Sequence, residues 1–269
     1  MAMRLLTVRD DGLFVLKRFA KHDIPPYAIL SHRWSKDEDD EISFKEIHQH
    51  IIDQSKPGYK KLEFCSAQSK ADGLQYFWVD TCCIDKSNQD EFSIAIYSMF
   101  WWYKKAVKCY VYLPDVYVGD RDDQSICAAK ESALPKSEWF SRGWTLQELL
   151  APETVEFYSR DGVRLGDKSS LERQIAKRTG IPLPALQGLA LSRFDPEEIF
   201  GWVEQRYTKE EEDKAYCLLG VFDVAMLLNY GEGGQKAFSR LRREIENRVP
   251  GTCSFMRLNA LFQLSVLLV

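Results

Sequence analysis

The sequence predicts an α/β protein with a mainly parallel sheet flanked by helices, and three observations carry that prediction. Short apolar runs of strand character recur at Tyr27–Ser31, Tyr76–Asp80, Lys108–Leu113 and Thr154–Ser159. Stretches with helical apolar spacing fall between them, and alternation of this kind through residues 27–160 is what parallel strands joined by crossover helices require. The chain has 269 residues, 45% hydrophobic and 28% charged, enough to bury a sizeable core.

Taken in order, Tyr27–Ser31 follows the breaker Pro25–Pro26 and reads as a buried strand ending in Ser31, His32, Arg33 and Trp34. The acidic run Asp37–Glu41 is expected as a solvated loop, followed by a charged helix over residues 43–52. A second helix starts after Pro57–Gly58 and stops near Asp72–Gly73. Tyr76–Asp80 is continuously apolar up to its terminal aspartate, as a strand covered on both faces would be. Asn88, with Glu91 three residues later, caps a helix whose Phe92, Ala95, Ile96, Met99, Phe100 and Tyr103 form a core stripe. Lys108–Leu113 is the third strand, residues 117–137 lack periodicity and read as a long loop, and Thr154–Ser159 is the fourth strand.

Beyond Gly166 the pattern turns helical. Ser169 or Ser170 caps a segment ending at Thr179–Gly180, and Asp195–Glu198 combines a cap, a proline at the first position and acids in the first turn. Further helices are expected at 210–224 and 235–249. The resulting division is an α/β domain over 1–166, a helical extension packed on it over 167–249, and an unassigned apolar tail over 250–269.

Several functional classes are disfavoured. A net charge of −4 gives no electrostatic footprint for nucleic acid or an anionic membrane. The seven cysteines are odd in number and irregularly spaced, as expected of reduced thiols in a cytoplasmic protein. The N-terminus lacks the apolar core of a secretory signal, and no run of about 20 apolar residues predicts a membrane span. No metal site is expected, because there is no Cys-x-x-Cys and His48 and His50 sit on a solvated helix without partners. Neither a P-loop nor a Gly-x-Gly-x-x-Gly after a strand is present, which argues against a kinase or a classical dehydrogenase.

The informative stretch is Ser141–Leu150, a glycine-bearing turn running into a short helix stopped by Pro152. Helical spacing puts Trp144 and Glu148 on one side and Leu146, Leu149 and Leu150 opposite, so the acid is expected to face outward. Thr145 to Glu148 also fits a capping box, in which the glutamate serves only its own helix. In an open parallel sheet, ligands gather beyond the carboxyl ends of the strands. There this chain has Ser31, His32, Arg33 and Trp34, then Asp80 with Asp85, then Asp115, then Glu148. Acids beside aromatic faces suit a ligand with ribose hydroxyls and a flat ring. A rival chemistry pairs Cys82 or Cys83 as nucleophile with His32, oriented by Asp80 or Asp85; plain packing is the alternative for both cysteines.

Three blocks, Tyr27–Trp34, Phe77–Lys86 and Arg142–Pro152, resemble those of fungal heterokaryon-incompatibility (HET) domain proteins. Glu212–Asp223 with Tyr230–Gly233 is similar to the region that commonly follows, and the resemblance covers about residues 3–247. It departs at Met226–Tyr230, where relatives often carry a proline. The resemblance implies an effector of regulated cell death in heterokaryon incompatibility, an innate-immunity-like form of self/non-self recognition. HET domains are considered distant relatives of TIR domains, which implies a TIR/flavodoxin-like sheet. Some TIR domains hydrolyse NAD+ with the glutamate of a Trp-Cys-x-x-Glu-Leu motif, and Trp144–Leu149 is similar to it with Thr145 in place of the cysteine. By that correspondence Glu148 is catalytic and NAD+ is a substrate, with no cofactor required. The nucleotide would be bound by Ser31, Arg33, Trp34, Asp80, Asp85, Arg142 and Trp144, the tryptophans stacking and the arginines meeting the pyrophosphate. Expected partners are further copies of the chain or a partner incompatibility protein. The alternative is a non-catalytic death-signalling adaptor acting by self-association.

Overall fold

The computed structural model describes residues 2–247; the tail expected at 250–269 lies outside the described residues. Seven strands form one sheet: β1 (Ala2–Val8), β2 (Phe14–Ala20), β3 (Tyr27–His32), β4 (Tyr76–Trp78), β5 (Lys108–Leu113), β6 (Val155–Ser159) and β7 (Arg164–Asp167). Their spatial order is β2-β1-β4-β3-β5-β6-β7. The four expected strands pair in parallel at the centre as β4-β3-β5-β6. Numbered among themselves these run 2-1-3-4, the flavodoxin-like doubly wound order, whose switch point lies between β3 and β5. Antiparallel strands flank them, the β1–β2 hairpin beside β4 and β7 beside β6.

Those flanking strands are absent from the sequence prediction for a physical reason. β2 has one exposed edge and exposes Lys17, Arg18 and Ala20, so it lacks the apolar continuity of a strand covered on both faces.

Five helices belong to the α/β region: α1 (Phe44–Gln49), α2 (Pro57–Ala71), α3 (Gln89–Lys105), α4 (Asp123–Ala128) and α5 (Thr145–Leu150). Ser43 and Glu46 form a capping box on α1, and Asn88 accepts from the Glu91 amide at 3.1 Å to start α3. Strand alternation sorts the two faces of the sheet. Phe64 of α2 meets Tyr112 and Tyr158 at ring separations of 5.0 and 5.1 Å on one face. On the other, Trp102 and Tyr103 of α3 meet Trp78, and Trp139, ahead of α5, meets Phe157 at 5.7 Å.

The expected loop over 117–137 is instead largely ordered into α4, one π turn and a 3-10 turn at Leu134–Lys136. Asp122 caps α4 by accepting from the Ser125 amide at 2.7 Å, and the fully buried Leu134 and Trp139 pin the segment to the core. Its polar composition concealed these two anchors.

After β7 the described chain is helical: α6 (Glu172–Thr179), α7 (Leu183–Leu186), α8 (Pro196–Glu204), α9 (Asp213–Tyr216), α10 (Leu219–Phe222) and α11 (Gly234–Glu246). The expected helix at 210–224 is broken into α9 and α10, which ends at Asp223 with a left-handed φ of 52°. Among the described residues no helix is long and apolar enough to cross a membrane.

Gly58, in the first turn of α2, lies so close to the backbone of Asp40–Ile42 that an added Cβ would sit 2.7 Å from the Asp40 carbonyl oxygen. Gly58→Ala is therefore expected to lower stability by about 1–3 kcal/mol. A urea unfolding midpoint equal to that of the wild type would contradict this close packing.

Candidate functional site

Ser31 lies near the carboxyl end of β3, paired in register with Val111 of β5, and therefore at the switch point of the sheet. Its hydroxyl donates to Glu148 Oε2, tying β3 to α5. The indole Nε1 of Trp139 donates in turn to Ser31 Oγ at 2.8 Å. Ser31 and Trp139 are fully buried and Glu148 is 4% exposed.

This corrects two expectations for the Ser141–Leu150 stretch. Glu148 does not face solvent, because every residue of α5 is buried. Nor do Thr145 and Glu148 form a capping box: Thr145 Oγ1 lies 2.8 Å from both the Trp139 and Arg142 carbonyl oxygens, which share its one proton, and the Glu148 side chain goes to Ser31. A helical wheel anticipates one apolar face, whereas α5 is covered on the sheet side and again from the region after β7.

That second cover is built around Arg206, just beyond α8. It is 4% exposed and donates through Nε to the Trp202 carbonyl at 3.1 Å and through Nη1 to the Arg142 carbonyl and Thr145 Oγ1, each at 3.0 Å. Backbone bonds from Gly143 to Tyr207 at 2.9 Å and from Tyr207 to Ser141 at 2.8 Å complete the clamp. Periodicity gave no hint of Arg206, whose role depends on pairing across 61 residues with Thr145.

Burial pushes the Glu148 carboxyl up to about 8, and the Asp80 charge adds to the rise. Ser31 and Tyr103 as hydrogen-bonding groups, and Arg206 as a charge, act in the opposite direction. Near neutral pH the acid is therefore mostly protonated, yet its ionisation lies within reach of physiological conditions, as suits a reactive carboxyl.

The other expected site residues do not all meet here. Successive residues of a strand point to opposite faces, so His32 turns away from Ser31 toward α2. There its Nε2 lies 3.6 Å from Glu41, which is ion-paired with Lys61, and its Nδ1 lies 3.8 Å from Asp80. Burial alone would raise Glu41, but His32 and Lys61 hold its carboxyl well below the usual range. Asp80 stands between the two sides: it accepts from Trp34 Nε1 at 2.7 Å, and its charge reaches Glu148. Trp34 carries the Lys86 ammonium 3.5 Å from its ring centre. Arg33 pairs with Glu138 at 3.1 Å. Asp85 accepts from the amide and hydroxyl of Ser87, a turn role. Arg142 lies over the Tyr207 ring and Trp144 donates to Asp213 at 3.0 Å, so both face the segment after β7. Asp115 accepts from Ser137 and Glu138.

Cys82 and Cys83 are buried in their own turn, near the Val79 carbonyl and amide respectively. Burial lifts the Cys82 thiol well above its ordinary value, the reverse of what a nucleophile needs. The ion-pair distances of His32 are to carboxylates. Among the described residues no cluster of His, Cys, Asp and Glu has the geometry to hold a metal. A groove of about 1350 Å³, walled in part by Trp101, Pro152, Glu153 and Leu189, lies beyond the far end of α5 and does not include Glu148.

The fold and site thus define a doubly wound α/β protein with a buried glutamate at its switch point. The sequence profile described as Heterokaryon incompatibility protein (HET) matches residues 27–133, which hold Ser31, Trp34 and Asp80 and end before Glu148. The chain is 52% identical over 244 residues to Vegetative incompatibility protein HET-E-1 of Podospora anserina, an alignment covering 90% of this chain and 18% of that relative. No solved structure matches. Residues 27–133 thus carry the pattern of the heterokaryon-incompatibility family, and the similarity to a vegetative incompatibility protein runs over 90% of the chain.

The displaced ionisation of Glu148 has a stability consequence of definite sign. From about pH 4.5 to about pH 8 the unfolded carboxyl is ionised while the folded one keeps its proton, so stability falls as pH rises through that window and levels off above it. Relative to Glu148→Gln, which cannot ionise, the wild type should lose on the order of 4 kcal/mol between pH 5 and 9. Urea unfolding of both proteins across that range checks it; a difference independent of pH would contradict it.

Proposed function

We propose that this chain acts in heterokaryon incompatibility as an effector of regulated cell death, and that it does so by hydrolysing NAD+ at the nicotinamide N-glycosidic bond with Glu148. The observation that carries the reading is a buried, hydrogen-bonded carboxyl at the switch point of a flavodoxin-ordered sheet, on a segment similar to the glutamate motif of NAD+-cleaving TIR domains. The C1′–N bond breaks with its electron pair passing to nicotinamide, which leaves as a neutral molecule. No general acid is needed, unlike an ordinary glycoside with its two carboxyls. The ionised Glu148 stabilises the developing ribosyl cation, and water adds to C1′ to give ADP-ribose and a proton.

Because Glu148 is 4% exposed, this chemistry requires the cover over α5 to part, consistent with activation by further copies of the chain or by a partner incompatibility protein. Nicotinamide and ADP-ribose release by purified protein, followed over a concentration series, tests the reading. Glu148→Gln should lower turnover by about 100- to 1000-fold. Equal turnover in the two proteins would overturn the assignment. Since the carboxylate is the active form, kcat/KM should rise with pH through about 8, the value for the free protein; an activity already at its plateau at pH 6 would contradict that role.

The same burial supports a second reading, a death-signalling adaptor acting by self-association with Glu148 as a structural acid. Under it, cell death persists with Glu148→Gln and disappears with surface substitutions that prevent association.

A further inference from the structure

We propose that Trp139 is a positioning residue for Glu148, acting through Ser31, whose hydroxyl it orients as a donor to the carboxyl. The inference deepens the reading of Glu148 as a reactive acid, but its geometry stands without it. An indole N–H can only donate, so at 2.8 Å from Ser31 Oγ it occupies a lone pair of that oxygen. The serine retains one proton, and its acceptor is Glu148 Oε2. A free hydroxyl can rotate to donate or to accept; with the indole on one lone pair, the arrangement in which the proton points at Glu148 is the one the structure holds.

Each member is held by a different element. Ser31 is fixed by the parallel pairing of β3 with β5. Trp139 sits in a 3-10 turn over Glu138–Ser141, its ring edge-to-face with Phe140 and Phe157 at 5.0 and 5.7 Å, and its carbonyl accepts from Thr145 at 2.8 Å. Glu148 is carried by α5. The charged and titratable groups facing Glu148 from the packed elements are Asp80 after β4, Tyr103 of α3, Cys109 of β5 and Arg206 beyond α8. Among these surroundings the Trp139–Ser31 pair directs a fixed dipole at one carboxyl oxygen. It limits the rotation of the group and favours its charged form against the burial that opposes it.

The test uses protein labelled with ¹³C at glutamate carboxyls and ¹⁵N at indoles, with Glu148 assigned by its loss in Glu148→Gln. In the wild type the Trp139 indole resonance should move with the same pH midpoint as the Glu148 carboxyl, because the two are joined through one oxygen. Ser31→Ala should raise the Glu148 midpoint by about one pH unit and uncouple the indole. Trp139→Phe should raise it by less, and Ser31→Thr should leave it near the wild-type value. In turnover assays the acidic limb should move with the midpoint, kcat falling more than KM changes. An indole resonance indifferent to the Glu148 titration, or an unchanged midpoint in Ser31→Ala, overturns the relay; the first of these is read on the wild-type protein, its indole assigned through the contacts of Trp139 with Phe140 and Phe157, and so survives misfolding of Trp139→Phe. If the titrations couple but no protein consumes NAD+, the relay stands and the nucleosidase reading fails. If Glu148-dependent turnover occurs without the coupling, the reverse holds.

Discussion

One hydrogen bond, from Ser31 on the central strand to Glu148 on α5, sets the terms for the surrounding structure. It places an ionisable group between the sheet and a helix that has no exposed residue. A carboxyl in such a position is costly unless it is neutral or well partnered. The chain meets that constraint in both ways: burial keeps the acid protonated to about pH 8, and Ser31, Tyr103 and Arg206 surround it with favourable partners. Arg206 connects the constraint to the region after β7, because the guanidinium that faces Glu148 also ties down the Arg142 carbonyl and Thr145 at the start of α5. The helices beyond β7 are thereby part of the setting of the acid.

The sheet separates this centre from a second buried polar group. His32, next to Ser31 in sequence, joins Glu41 and Lys61 on the opposite face, where carboxylate and ammonium balance each other. Asp80, at the end of β4, is the link between them, since it lies near His32 and its charge reaches Glu148. The large groove at the far end of α5 is separate from both. Access to Glu148 from solvent therefore requires movement of the cover, whereas the groove is already open.

Much of this was legible in the chain. The four parallel strands announced themselves as apolar runs, and the Asn88 and Asp195 caps began helices where their side chains predicted. The approach of Glu148 to Ser31 at the strand ends also followed from the α/β pattern. What escaped was whatever depends on a distant partner or on partial exposure. β2 is an edge strand with polar residues, the 117–137 segment is anchored by only a few apolar side chains, and α5 is buried by Arg206 and its neighbours from far along the chain. The period-two alternation of β3 already implied that Ser31 and His32 diverge. Proximity in sequence had grouped them into one cleft.

The central claim is that the fold holds Glu148 as a protonated acid near neutral pH, poised to ionise. Difference infrared spectroscopy of wild type against Glu148→Gln, recorded as a function of pH, observes that proton directly. A carboxylic-acid band that is present at pH 6.5 and disappears with a midpoint near 8 is the predicted result. A carboxylate already formed at pH 6.5, with its midpoint in the ordinary glutamate range, would contradict the account.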